Sequence, residues 1–239
     1  MISIRRAEDR GVAEFGWLHS RHSFSFGHYR DPEQVGFSDL LVINDDRVEP
    51  GQGFGTHPHR DMEIFSYVLD GALAHRDSMG TGSVIRPGDV QMMSAGRGIE
   101  HSEFNANPNA LVHFLQIWIV PNRFAVTPRY QQVHVIDSEK RGRLRLIIAP
   151  EGGDGVLGVY QDTRVYAGLF DGAEAAQFDI PAQRYAYVHL ARGAVQLNGQ
   201  ALAAGDGARV VHETALEFSR GRNAEVLVFD LRPHLKPQI

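Results

Sequence analysis

Short apolar runs, each stopped by a turn signal, recur along the whole chain. The β-rich runs cover residues 40–43, 63–69, 111–120, 144–148, 185–190, 194–197 and 225–231. Branched and aromatic residues fill them, and Gly, Pro, Asn and Asp punctuate them at close spacing, which is the pattern of strands joined by tight turns. Asp70-Gly71, Pro87-Gly88-Asp89 and Asn198-Gly199 are the clearest turns. Asn198-Gly199 stands between residues 194–197 and 201–202 and predicts a two-residue hairpin, whose central positions need positive φ. Long amphipathic helical periodicity is hard to find. Short helical pieces are expected near residues 31–35 and 121–130. The pattern predicts an all-β sandwich or barrel.

The pattern also repeats. Residues 68–90 read VLDGALAHRDSMGTGSVIRPGDV, and residues 189–208 read HLARGAVQLNGQALAAGDGA. Each has a strand ending in a turn glycine (Gly71, Gly193), then a hairpin, then a Gly-Asp pair (Gly88-Asp89, Gly205-Asp206). Two β units in tandem account for 239 residues. The expected domains are residues 1–135 and 136–239. Residues 137–142 or 151–158 are expected to link them, and the second of these also reads as a hairpin tip.

Composition narrows the function classes. With 43% hydrophobic and 22% charged residues the chain is globular. Its net charge of −5 and lack of a basic block give no basis for nucleic-acid binding by phosphate neutralisation, and an acidic surface is repelled by anionic lipid. The absence of cysteine excludes disulfides, thiolate ligands and a Cys nucleophile, and fits a reducing compartment. The opening MISIRRAEDR lacks the apolar stretch of a signal peptide, and the longest apolar run, around residues 117–120, is too short to span a bilayer. A soluble, cytoplasmic, monomeric protein is expected.

Twelve histidines change the picture, because four metal-binding residues fall into two alternating pairs. His57-Pro-His59 follows a glycine-rich approach, and His101-Ser-Glu103 follows Gly96-Arg-Gly. In a strand, residues i and i+2 share a face, so each pair projects together. Antiparallel pairing of the two strands brings His57, His59, His101 and Glu103 to one point. Three imidazoles and a carboxylate suit one divalent transition metal: iron, manganese, nickel, cobalt, copper or zinc. On an octahedral ion they leave two positions open. Either pair alone is commonly a surface or packing accident; it is their conjunction that points to metal. Aligned on the repeat, the second unit has Asp179, Pro181, Phe218 and Arg220 at the four positions, so it lacks the site.

Other residues carry less. Glu63 reads either as a hydrogen-bond partner of a ligand imidazole or as a plain strand-face carboxylate. His113 and Gln116 lie in opposite alternation, so at most one faces a barrel interior. Phe54, Met62, Met92, Phe104 and Trp118 are candidates for lining an apolar substrate cavity, or are ordinary core. His19, His22 and His28 read as packing or surface residues. His75, His134, His189, His212 and His234 read as structural. Arg141, Arg143 and Arg145 read as the solvated face of one strand.

The stretches GQGFGTHPHRDMEIFSYVLDG and SAGRGIEHSEFN resemble the two metal-binding motifs of cupins, in the form found in the pirin family of bicupins. HSFSFGHYRDP, GFSDLLVINDD, HRDSMG and LQIWIVP also resemble pirins. The likeness is specific over about residues 2–135 and looser beyond, and is particularly close to bacterial pirin-like quercetin 2,3-dioxygenases. It implies two cupin barrels packed face to face, with a divalent metal, usually Fe(II), held in the first by His57, His59, His101 and Glu103. It further implies a metal-dependent dioxygenase acting on a flavonol and O2 with release of CO, Glu103 serving as ligand and base. The alternative it leaves open is a regulatory pirin whose metal tunes a protein-interaction surface.

Overall fold

The computed structural model describes residues 1–238. Strands build three sheets. A seven-stranded sheet runs in the order Arg129–His134, Asp89–Ser94, Glu63–Asp70, Val112–Ile119, Leu40–Val48, Leu18–His22, Gly11–Glu14, and a four-stranded sheet in the order Gly53–His59, Ile99–Asn105, Leu73–Asp77, Gly82–Ile85. The two close on each other through Val48, Val68 and Phe114 from one and Leu73 and Ile85 from the other. The nine-stranded sheet forms the second barrel around the long strands Tyr185–Leu197 and Ala215–Leu231.

The barrels share one core. Alternate residues of the seven-stranded sheet, among them Phe65, Tyr67, Leu69, Leu115 and Ile117, pack against Ile147, Val165, Tyr187, Leu227 and Phe229 of the second barrel. Glu63–Asp70 and Leu40–Val48 are therefore covered on both faces, which explains why they read as nearly continuous apolar runs. Polar contacts line the same seam: the Tyr67 hydroxyl donates to Glu225 at 2.6 Å, and Arg192 pairs with Asp70 at 2.9 Å. The first strand, Ile2–Arg5, pairs with Gly207–Val210 of the second barrel and so crosses the boundary expected at residue 135.

Several local expectations are corrected. Residues 31–35 and 121–128 are turns and irregular backbone, residues 129–130 open the strand Arg129–His134, and the α-helix among the described residues is Asp137–Lys140, within the expected link. Residues 185–190 and 194–197 belong to one strand that kinks at Gly193. Its φ is +69°, and a Cβ there would stand 2.2 Å from Asn223 O, so only glycine lets the two long strands pass this closely. Arg141 and Arg143 precede the strand Leu144–Ala149, so the three arginines do not share a strand face. Among the described residues no helix is long and apolar enough to cross a membrane.

Candidate metal centre

The two alternating pairs meet because Gly53–His59 and Ile99–Asn105 are antiparallel neighbours, with His57 opposite His101. A bulge places one extra residue of the Gly53–His59 strand opposite the interval from His101 to Glu103. Gly53 permits the approach at its far end, since a Cβ there would lie 2.2 Å from Glu103 O. The His57 ring centroid lies 4.8 Å from that of His59 and 4.5 Å from that of His101, and those of His59 and His101 are 4.8 Å apart. Potential ligand atoms of His57, His59 and His101 all fall within 4.8 Å of one another, and a second group within the same limit joins His75, His101 and Glu103. His57 and His59 are half-buried while His101 and Glu103 are buried, so the cluster opens on the His57–His59 side.

The donor atoms suit a cation. His57 donates its Nδ1 hydrogen to Gly55 O at 2.7 Å, which leaves a lone pair on Nε2. Nε2 of His59 and of His101 are buried with no hydrogen-bond partner. Unpartnered buried polar atoms are costly unless something binds them. Burial pushes His59 down to about 4; burial, with His57, His59 and His75 adding to it, pushes His101 down to about 2, so both rings are neutral with lone pairs available near pH 7. Burial pushes Glu103 up to about 7, opposed by Ser66 and Gln116. Gln116 Nε2 donates to Glu103 Oε2 at 2.6 Å, and the Ser66 hydroxyl reaches Glu103 Oε1 at 3.1 Å and Gln116 Oε1 at 2.8 Å. Three imidazoles and one oriented carboxylate are a donor set that borderline divalent metals accept.

The surrounding residues divide between two faces. Gln116 faces the first barrel's interior, whereas His113 faces the seam and holds Asp45 at 2.7 Å. Glu63 also faces the seam, where Ser94 and the Tyr160 N–H donate to it, away from His57, His59 and His101. Trp118 meets His59 edge-on at 4.9 Å and packs with Met62. Phe54 packs inside the barrel against Trp17 and borders a cavity of about 380 Å³ with Phe26, Asn44 and Asp46. Met92 belongs to the inter-barrel core and Phe104 is exposed, so neither lines the site. A second concavity borders His59 itself, flanked by Arg60 and Arg97.

Sequence reasoning missed His75, Asp77, Ser66 and Gln116 as neighbours of the cluster. His75 Nδ1 lies 3.5 Å from His101 Nδ1 and its Nε2 lies 3.1 Å from Asp77 Oδ2. A usable signal was present, since His75-Arg-Asp77 has the same i, i+2 spacing as His57–His59 and His101–Glu103. Of the four positions aligned on the repeat in the second unit, Phe218 is buried and stacks on Phe170 at 5.5 Å within an apolar cluster that includes Val188 and Leu197, while Pro181 and Arg220 are exposed.

Two such barrels in tandem, the first with a histidine–carboxylate cluster and the second with none among the described residues, are the architecture of a bicupin. The Pirin family profile matches residues 4–119, and that of the quercetinase C-terminal cupin domain matches residues 146–231. The chain is 44% identical to "Quercetin 2,3-dioxygenase" of Escherichia coli (strain K12), over 98% of this chain and 100% of that protein. It is also similar to the crystal structure of bacterial pirin YhhW from E. coli in complex with nickel(II), with 43% identity, a TM-score of 0.92, and coverage of 98% of this chain and 100% of that one. YhaK from E. coli is more distant, at 28% identity and a TM-score of 0.73, with 93% of this chain and 98% of that one covered. The chain belongs to the pirin family.

Proposed function

We propose that the protein is a metal-dependent dioxygenase that cleaves flavonols such as quercetin with O2, giving a depside and CO, with His57, His59, His101 and Glu103 as the metal ligands. The observation that carries this reading is the meeting of three imidazoles, two with unpartnered buried Nε2 atoms, beside a buried carboxylate. The E. coli relative named quercetin 2,3-dioxygenase supports the substrate class. Iron(II) is the resident ion proposed, and the nickel(II) complex of the E. coli relative supports a divalent transition metal in general.

When bound, a divalent metal supplies Lewis acidity toward a flavonol hydroxyl and open positions for substrate and O2. The protein's own groups do the rest. Glu103, with Gln116 holding Oε2 in place, is positioned to accept the flavonol 3-hydroxyl proton. Trp118 and Phe54 offer aromatic surface to a planar substrate. Arg60 and Arg97, flanking the concavity at His59, favour an approaching phenolate. The test is quercetin turnover in air by protein reconstituted in turn with iron, manganese, nickel, cobalt and copper, followed as loss of the flavonol absorbance. Turnover with at least one metal, lost in Glu103→Ala, is expected; no turnover with any would overturn the proposal.

A further inference from the structure

Behind His101 lies a buried pair that the proposed reaction leaves unused. His75 and Asp77 belong to Leu73–Asp77, the strand that flanks Ile99–Asn105 on the side away from Gly53–His59. The register sets Asp77 opposite His101 and His75 opposite Glu103, and both side chains are fully buried. His75 bridges the two, with a long 3.5 Å contact between its Nδ1 and His101 Nδ1 and a 3.1 Å contact from its Nε2 to Asp77 Oδ2. Asp77 is itself fixed, because its Oδ1 accepts the backbone N–H of Met79 at 2.9 Å and of Thr81 at 3.0 Å. The Tyr130 ring packs on His75 at 4.9 Å.

One arrangement of hydrogens satisfies this chain. The Asp77 carboxylate only accepts, so His75 Nε2 carries its hydrogen. Neutral His75 then presents the lone pair of Nδ1 to His101, whose Nδ1 must carry a hydrogen. That leaves the free lone pair of His101 on Nε2, the atom without a partner in the protein. We propose that His75 and Asp77 are positioning residues that fix the tautomer and raise the donor strength of His101 through a buried Asp77–His75–His101 relay. The proposal rests on the reading of His57, His59, His101 and Glu103 as the ligand set. His57 differs, since its outer nitrogen meets only a neutral carbonyl, Gly55 O. His75, His101 and Glu103 also lie close enough to hold a cation of their own. The relay is the better account, because Asp77 already engages His75 while Ser66 and Gln116 engage Glu103.

Asp77→Asn tests this at constant shape. Its side-chain oxygen can still serve the turn, but its amide presents N–H to His75 Nε2. That drives the His75 hydrogen to Nδ1 and sets it against His101 Nδ1–H. Nickel(II) affinity is measured by chelator competition, with the d–d absorption of the nickel-loaded protein and the melting of the metal-free protein as further readouts. A fall in affinity of roughly 10–100-fold is expected, as for other partners of ligand imidazoles. The d–d bands shift, while metal-free melting stays near wild type. His75→Phe keeps a ring against Tyr130 and gives the same loss, and it carries the test if Asp77→Asn does not fold. Wild-type affinity and unshifted bands in a folded variant would overturn the relay. So would a fall in metal-free melting with nickel affinity intact, or two nickel ions per wild-type chain. Nickel binding by His57→Ala equal to wild type would instead remove the ligand set on which the relay depends.

Discussion

Replacing Gln116 by Leu removes the 2.6 Å hydrogen bond to Glu103 Oε2 with little change in side-chain size. Burial has already lifted Glu103 from the ordinary 4.5 to about 7. A group raised in the folded state favours folding below its unfolded value, here about 4.5, and that contribution is lost as pH rises through about 7. Gln116 offsets this loss because it donates to the ionised form. At pH 8, where Glu103 is mostly carboxylate, a hydrogen bond to a charged group contributes about 1.5–3 kcal/mol; at pH 5.5, where it is mostly neutral, about 0.5–1.5 kcal/mol. The metal-free Gln116→Leu protein should therefore lose about 1 kcal/mol more stability at pH 8 than at pH 5.5. Urea denaturation of metal-free wild type and variant at both pH values measures the difference. Equal losses at the two pH values, or no loss at either, would refute the reasoning.

Metal uptake should weaken about tenfold for each pH unit below about 7, because binding displaces a proton from Glu103, and Glu103→Gln should flatten that slope; chelator competition between pH 5 and 7 reads it. His57→Ala should abolish metal retention, seen by elemental analysis, while its half-exposed position keeps the stability change of the metal-free protein within about 0.5 kcal/mol. Phe229→Ala should cost about 3–5 kcal/mol by opening the shared inter-barrel core, seen as a lower denaturation midpoint, with metal stoichiometry of the folded protein unchanged.

The meeting of the two pairs was legible in the sequence because a strand's two-residue period needs no tertiary knowledge. His57-Pro-His59 and His101-Ser-Glu103 each declare a shared face, and only their pairing had to be inferred. Ser66 and Gln116 were not legible as partners of Glu103. Their approach depends on two sheets closing on each other, and nothing in either residue's neighbours records which face turns inward. Glu63 shows the converse: a strand covered on both sides has no polar face to mark the barrel interior, so its direction could not be read. His75 and Asp77 fell between these cases, with the right spacing but no glycine-rich approach to set them apart. Residues 121–130 misled because the segment is largely exposed and, with Ala125 at a φ of +53°, does not hold helical hydrogen bonds before the strand begins at Arg129.

The strand Ile2–Arg5 is an outer strand of the nine-stranded sheet, and its partner Gly207–Val210 lies about 200 residues further along. During synthesis at roughly 5–20 residues per second, Ile2–Arg5 waits about 10–40 s for that partner. The first barrel can close in the meantime, but Ile2–Arg5 remains an unpaired ribbon until the second barrel is nearly finished. Their docking is thus a late event in maturation. A product truncated before residue 207 would carry that ribbon exposed, as a ready edge for aggregation or for clearance by proteases.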